Sequence, residues 1–211
     1  MKQSGITRTQ TIVAITIVII IIVGIGYYLI LPSPTPTPTP TFTETPTLIE
    51  WKADGVIEEN EYADKVTLAD GKLTINWRSD DEYLYMALKS QTSGWVAIGF
   101  EPSVRMKDAD MIFGLVKEGK VTVLDLYSTG VTGPHPPDEQ LGGTNNIVEY
   151  GGKEENGFTT IEFKRKLDTG DEYDNSLTKK GDVSFIWAVA DTDDSTMKHN
   201  IARGSGKITL K

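Results

Sequence analysis

The chain has 211 residues, with 21 Lys and Arg against 30 Asp and Glu, a formal net charge of −9 and no cysteine. An acidic balance argues against nucleic acid as a partner, because binding there rests on cations that neutralise phosphates, and the missing thiols remove disulfides and thiolate metal sites. With only two histidines, the usual nucleophile and metal-cluster arrangements of hydrolases cannot be assembled; no phosphate-cradling glycine loop precedes a helix and nothing singles out a carboxylate pair for glycoside hydrolysis, so the chain is not expected to be an enzyme.

Residues 11–31, TIVAITIVIIIIVGIGYYLIL, form an uncharged run long enough to cross a hydrocarbon core of about 30 Å as a helix. Only a helix satisfies its own backbone in lipid. Residues 1–10 hold Lys2 and Arg8 and no acid, and the next basic residue is Lys52. The positive-inside rule therefore predicts a cytoplasmic N-terminus, a single transmembrane anchor and everything beyond it outside the cytoplasm. The run exceeds a usual leader's apolar core and no small-x-small cleavage pattern follows it, which favours a retained anchor in the cell membrane.

Residues 32–47, PSPTPTPTPTFTETPT, alternate proline with threonine, which denies backbone donors and favours an extended polyproline conformation. A stalk is expected there, with Thr-Pro repeats of the kind that carry O-linked sugars. Residues 48–211 are the size of one ordinary domain. Without Lys2, Arg8 and Glu44 the totals leave 19 cations and 29 acids in that region, an excess of ten negative charges. Such a surface suits solubility and a meeting with a basic patch on another protein.

Alternating apolar residues rich in β-branched and aromatic types predict strands at 72–78, 82–90, 94–100, 111–116, 120–127, 146–150, 158–164, 183–190 and 207–210. Breakers such as EGK, GGKEENG and GSG separate them. No sustained helical period intervenes. Many short strands without crossover helices predict an all-β fold, an antiparallel β-sandwich of immunoglobulin-like kind. Residues 129–144, TGVTGPHPPDEQLGGT, are too rich in Gly and Pro for a regular element. A loop of that length is either functional or a solvated excursion.

Scarcity marks three residues. His135, in PHPP, reads as an exposed loop residue, and His199, between two strands, as a surface histidine at a loop end. Met106 lies in a polar connection after the strand GWVAIGF, whereas methionine more often fills core gaps. A His/Met pair is one known way to hold haem iron.

Taken in order, GWVAIGF, Met106, DADMIFGLV, FIWAVAD and His199 ahead of ARGSGKITL resemble the DOMON domain, and within it the haem-binding type exemplified by the cytochrome domain of cellobiose dehydrogenase. The resemblance runs from Trp51 to Leu210. It implies a β-sandwich carrying one b-type haem, with Met106 and His199 as axial ligands to the iron. Arg203 and Arg105 are then candidates to pair with propionates, and Trp95 belongs to a strand expected to shield the group from water. One departure is that Glu101, Pro102 and Arg105 stand before Met106 in place of a Gly-rich turn. The opening WKADGVIEENEYAD resembles that of related carbohydrate-binding sandwiches, where it is structural, with a turn at Asp-Gly and an aromatic over one sandwich end.

The function implied is electron transfer through a His/Met-ligated haem b, with a redox protein as partner. The alternative is a haem-free module on the cell surface, either adhesive or binding glycans through exposed aromatics such as Trp77, Trp95 or Tyr127.

Overall fold

The structure, a computed structural model, describes Gly5 and residues 7–30, 47–177 and 181–211. The expected stalk, Thr47 apart, and half of the expected cytoplasmic segment, residues 1–4 and 6, lie outside the described residues. The chain divides into two compact units, 1–45 and 46–211.

The first unit holds α1, Arg8–Ile30. Its described side chains are apolar on every side and exposed, which is the pattern of a helix that meets lipid rather than a protein core. At about 1.5 Å per residue, its 23 residues span roughly 35 Å, long and apolar enough to cross a membrane.

The second unit is an antiparallel sandwich of two five-stranded sheets. One sheet orders β1 (Asp64–Leu68), β2 (Leu73–Ser79), β3 (Tyr83–Ser90), β8 (Phe158–Lys166) and β7 (Ile147–Glu155) side by side as β1-β2-β3-β8-β7. The other runs β10-β9-β4-β5-β6, with β4 at Val96–Phe100, β5 at Asp110–Lys117, β6 at Lys120–Tyr127, β9 at Gly181–Val189 and β10 at Ala202–Leu210. Alternate residues of both sheets interdigitate in the core, among them Leu73, Ile75, Leu84, Met86, Leu88, Ile98, Phe100, Ile112, Ile161, Phe163 and Phe185. Period-2 alternation places every second side chain there.

Four expectations about elements need correction. β1 was not expected; its residues alternate between half-buried and exposed, as at a sheet edge, with Asp64 and Lys65 diluting the apolar signal. β10 starts five residues earlier than predicted, because Gly204 and Gly206 lie opposite Trp187 and Phe185. A Cβ at Gly206 would stand 2.6 Å from the Phe185 ring, so the partner's aromatic fills the space the glycine leaves. β7 continues through GGKEE, and the hairpin is turned by Asn156–Gly157 alone, both at positive φ. A short helical turn, α2 (Asp138–Leu141), interrupts the long loop.

The opening segment covers the outer face of the first sheet rather than a sandwich end. Trp51 packs edge-on against Tyr85, with ring centroids 5.3 Å apart, and its Nε1 donates to Tyr62 Oη at 2.7 Å. Gly55 takes φ +78, and any Cβ there would collide with Lys153 and Gly152 at about 2.5 Å. The tight turn lets the Asp54 and Gly55 amides donate to the buried Glu162 carboxylate at 3.0 and 2.6 Å.

Candidate functional site

A sheet in a sandwich ordinarily buries one face and shows water the other. The second sheet departs from this. On its outer side, cross-strand pairing lines up Arg203, Ala188, Ala97, Phe113 and Leu124 in one row, and Ser205, Ile186, Gly99, Met111 and Leu126 in the next. Trp95, Ala97, Met111, Phe113, Leu115 and Leu126 form a second apolar cluster on this side. Small residues occupy the centre of the floor. At Gly99 a Cβ would come within 3.0 to 3.3 Å of Met111, Ile186 and Ala109, so nothing larger fits without displacing the floor.

Three connections rise around this floor and enclose a cavity of about 600 Å³, within the range of pockets that hold drug-sized or cofactor-sized molecules. The first is the β4–β5 connection. Ser103 N donates to Lys107 O at 2.9 Å and Lys107 N to Val104 O at 3.0 Å, closing the turn, and Arg105 sits in the left-handed region at φ 59. This turn places Arg105 and Met106 on the cavity wall, the Met106 side chain partly buried against the outer cluster.

The β9–β10 connection forms the second wall. Asp191 and Asn200 pair across its neck, Asn200 Nδ2 donating to Asp191 Oδ1 at 2.6 Å and Asp191 N to Asn200 Oδ1 at 3.1 Å. Lys198 and His199 beyond that neck face the cavity. His199 Nε2 lies 3.5 Å from Arg203 Nη1. Burial, and then the Arg203 guanidinium, push the imidazole below its ordinary value, so the ring is neutral near pH 7 and keeps a lone pair for coordination.

The third wall is the strap between β6 and α2. Backbone bonds from Thr129 N to Pro134 O and from Tyr127 N to Pro136 O pin it at 3.0 and 3.1 Å. It carries Val131, Thr132 and His135 to the cavity. His135 is half-buried, its ring 6.2 Å from Phe113, and burial lowers its basicity. Its Nδ1 and the Nε1 of Trp95 are both buried with no hydrogen-bond partner among the described residues. Trp95 is 2% exposed, and its ring lies 4.2 Å from that of Phe113.

Met106, His199, Arg203, Arg105 and Trp95, which come from separate stretches of the chain, thus line one cavity. Its charged lining residues are Arg105, Lys198 and Arg203, with no carboxylate among them, in a domain that is acidic as a whole. His135 is a correction: it is a wall residue rather than an exposed one, and no sequence periodicity marks it, because the strap's backbone bonds set its direction. Trp77 and Trp95 are buried, Trp77 Nε1 donating to Thr209 O at 3.2 Å, so neither offers an exposed face to a sugar.

Residues 69–190 match the family described as DOMON domain. The mouse (Mus musculus) protein named DBH-like monooxygenase protein 1 is 33% identical over 153 residues, which make up 71% of this chain and 24% of that protein. Its human (Homo sapiens) namesake is 31% identical over 145 residues, 67% of this chain and 23% of that protein. The chain thus spans about a quarter of the length of these relatives. Among solved structures, the cytochrome b domain of pyranose dehydrogenase from Coprinopsis cinerea superposes with a TM-score of 0.51 at 13% identity, covering 69% of this chain and 80% of that one. That likeness is one of fold.

Proposed function

The chain belongs to the DOMON domain family, and from that premise we propose that its sandwich is an extracytoplasmic b-type cytochrome module, held at the cell membrane by α1, that passes electrons through a haem b bound in the outer-face cavity. The observation that carries this reading is the convergence of Met106, His199, Arg105 and Arg203 on a single apolar cavity.

The residues present fit such a group. The cavity's size, its apolar floor of Ala97, Gly99 and Ala188 and its cationic lining suit a flat apolar molecule with acidic side arms. Met106 and His199 would hold the iron through sulfur and nitrogen. Arg203 and Arg105 would offset the propionate charge. The indole N–H of Trp95, buried without a partner, is a donor available to a bound acceptor. Haem held in this way supplies one-electron oxidation and reduction.

The chain's own part is to bind, orient and exclude water. Phe113, Met111 and Trp95, which line the cavity, would keep water from a bound group and so tune its reduction potential. With Met106 and His199 both engaged in holding the iron, the domain would relay electrons rather than act on a substrate, so a separate redox protein is the partner proposed. Those curated relatives are named monooxygenases; the role proposed for this domain is that of carrier rather than catalyst.

The test is the absorption spectrum of the haem-loaded full-length chain in detergent. Sharp low-spin bands on reduction are expected, lost in both Met106→Ala and His199→Ala. Their survival in both variants, or failure of the wild type to retain haem, would end the proposal.

A further inference from the structure

On the inner side of the strands that floor the cavity, a group of buried carboxylates has no place in the haem reading. One oxygen from each of Asp110 (β5), Asp125 (β6) and Asp174 (the β8–β9 connection) lies within 4.8 Å of the other two. Asp110 and Asp125 are 0% and 3% exposed, and the Asp174 side chain 1%. Asp138, fully buried at the start of α2, stands outside that trio but feels its repulsion.

Their hydrogen bonds leave oxygens over. Asp110 Oδ2 accepts from the Arg165 guanidinium and, at 3.0 Å, from the Asn175 amide. Asp125 Oδ2 accepts from the Asn146 amide at 2.7 Å. Asp110 Oδ1, Asp125 Oδ1, both oxygens of Asp174 and both of Asp138 have no hydrogen-bond partner among the described residues. Arg165 also approaches Asp174 at 3.6 Å, yet one guanidinium against four carboxylates leaves an uncompensated excess in a place shielded from water. Burial first, with mutual repulsion added, pushes Asp110 up to about 6, Asp125 to about 7 and Asp138 to about 8.

Converging oxygens without nitrogen or sulfur donors suit a hard cation. Ligand oxygens at about 2.3–2.6 Å from Ca²⁺ stand at most about 5 Å apart, whereas the shorter bonds of Mg²⁺ draw them to about 4 Å. The three oxygens all lie within 4.8 Å of one another, close enough to share one ion, and their burial favours Ca²⁺, because Mg²⁺ gives up its water reluctantly.

We propose that Asp110, Asp125 and Asp174, with Asp138 beside them, form a site for one calcium ion, and that filling it fixes the strap that walls the cavity. Asp138 lies three residues beyond His135, and the strap between them is bound to β6 through Pro136 and Pro137. A cation held by β5, β6 and the β8–β9 connection would relieve the repulsion that Asp138 feels from those carboxylates, and so steady the strap from within. In a domain without disulfides, a metal clip is an available means of closing long loops.

The experiment uses the full-length chain in detergent, stripped with EDTA and exchanged into chelator-free buffer at pH 7.4, with CaCl2 added in a calorimeter. One Ca²⁺ per chain is expected, with a higher Tm and slower hydrogen exchange across residues 128–141. Asp125→Asn and, separately, Asp174→Asn should each weaken Ca²⁺ binding at least tenfold. His199→Ala should leave it unchanged, which keeps this result independent of haem. No stoichiometric uptake by the wild type, or full affinity retained in both Asn variants, would overturn the site and leave the carboxyls sharing protons.

Discussion

Glu162 shows how one buried carboxyl sets the response of a fold to pH. It is 0% exposed beneath the opening segment, where Tyr62 Oη donates to its Oε1 at 2.7 Å and the Asp54 and Gly55 amides donate to its Oε2. Burial outweighs these donors, and Glu61 nearby adds repulsion, so its pKa rises from 4.5 to about 7. The folded protein therefore binds this proton more tightly than the unfolded chain. Its contribution to stability is full below about 4.5 and declines as pH rises towards 7. Urea titrations at pH 4.5, 5.5, 6.5 and 7.5 should show a flatter profile for Glu162→Gln than for wild type; an unchanged slope in that window would assign the pH dependence to other groups. The same residue scale explains what the sequence could and could not show. His199 and Met106 were legible because they are rare types at positions with a recognisable order. His135 and the Asp110–Asp125–Asp174 group were not, because their meeting depends on strand register and on a loop that returns from another sheet, and spacing along the chain encodes neither.

At the scale of elements, strand alternation was legible wherever large apolar residues recur, as in β3, β5 and β9. It failed at β1, where a charged edge strand buries too little, and in the first half of β10, where ARGSG carries no apolar period. That half is a strand because Trp187 and Phe185 lie across from Gly204 and Gly206. Gly206→Val should therefore destabilise the domain, by about 1–3 kcal/mol, through overpacking against Phe185. A chemical-denaturation midpoint equal to wild type would show that the ring can move aside. The β7–β8 hairpin makes the complementary point: its breaker-rich sequence suggested a wide loop, while the chain needs only Asn156 and Gly157 to reverse.

At the scale of the whole molecule, α1 is long and apolar enough to cross a membrane, and under the proposed function it anchors the sandwich. A chain lacking residues 1–31 should remain in the supernatant after high-speed centrifugation of cell membranes, while the full chain sediments with them; sedimentation of both would assign membrane attachment to the sandwich. The apolar outer face of the second sheet carries a further consequence. Before the cavity receives its occupant, the domain presents an oily depression, rimmed by cations, on a surface otherwise made soluble by acids. Under the proposed function, copies not yet loaded would be adhesive, so the supply of the ligand and the arrival of the folded domain would have to be matched in time.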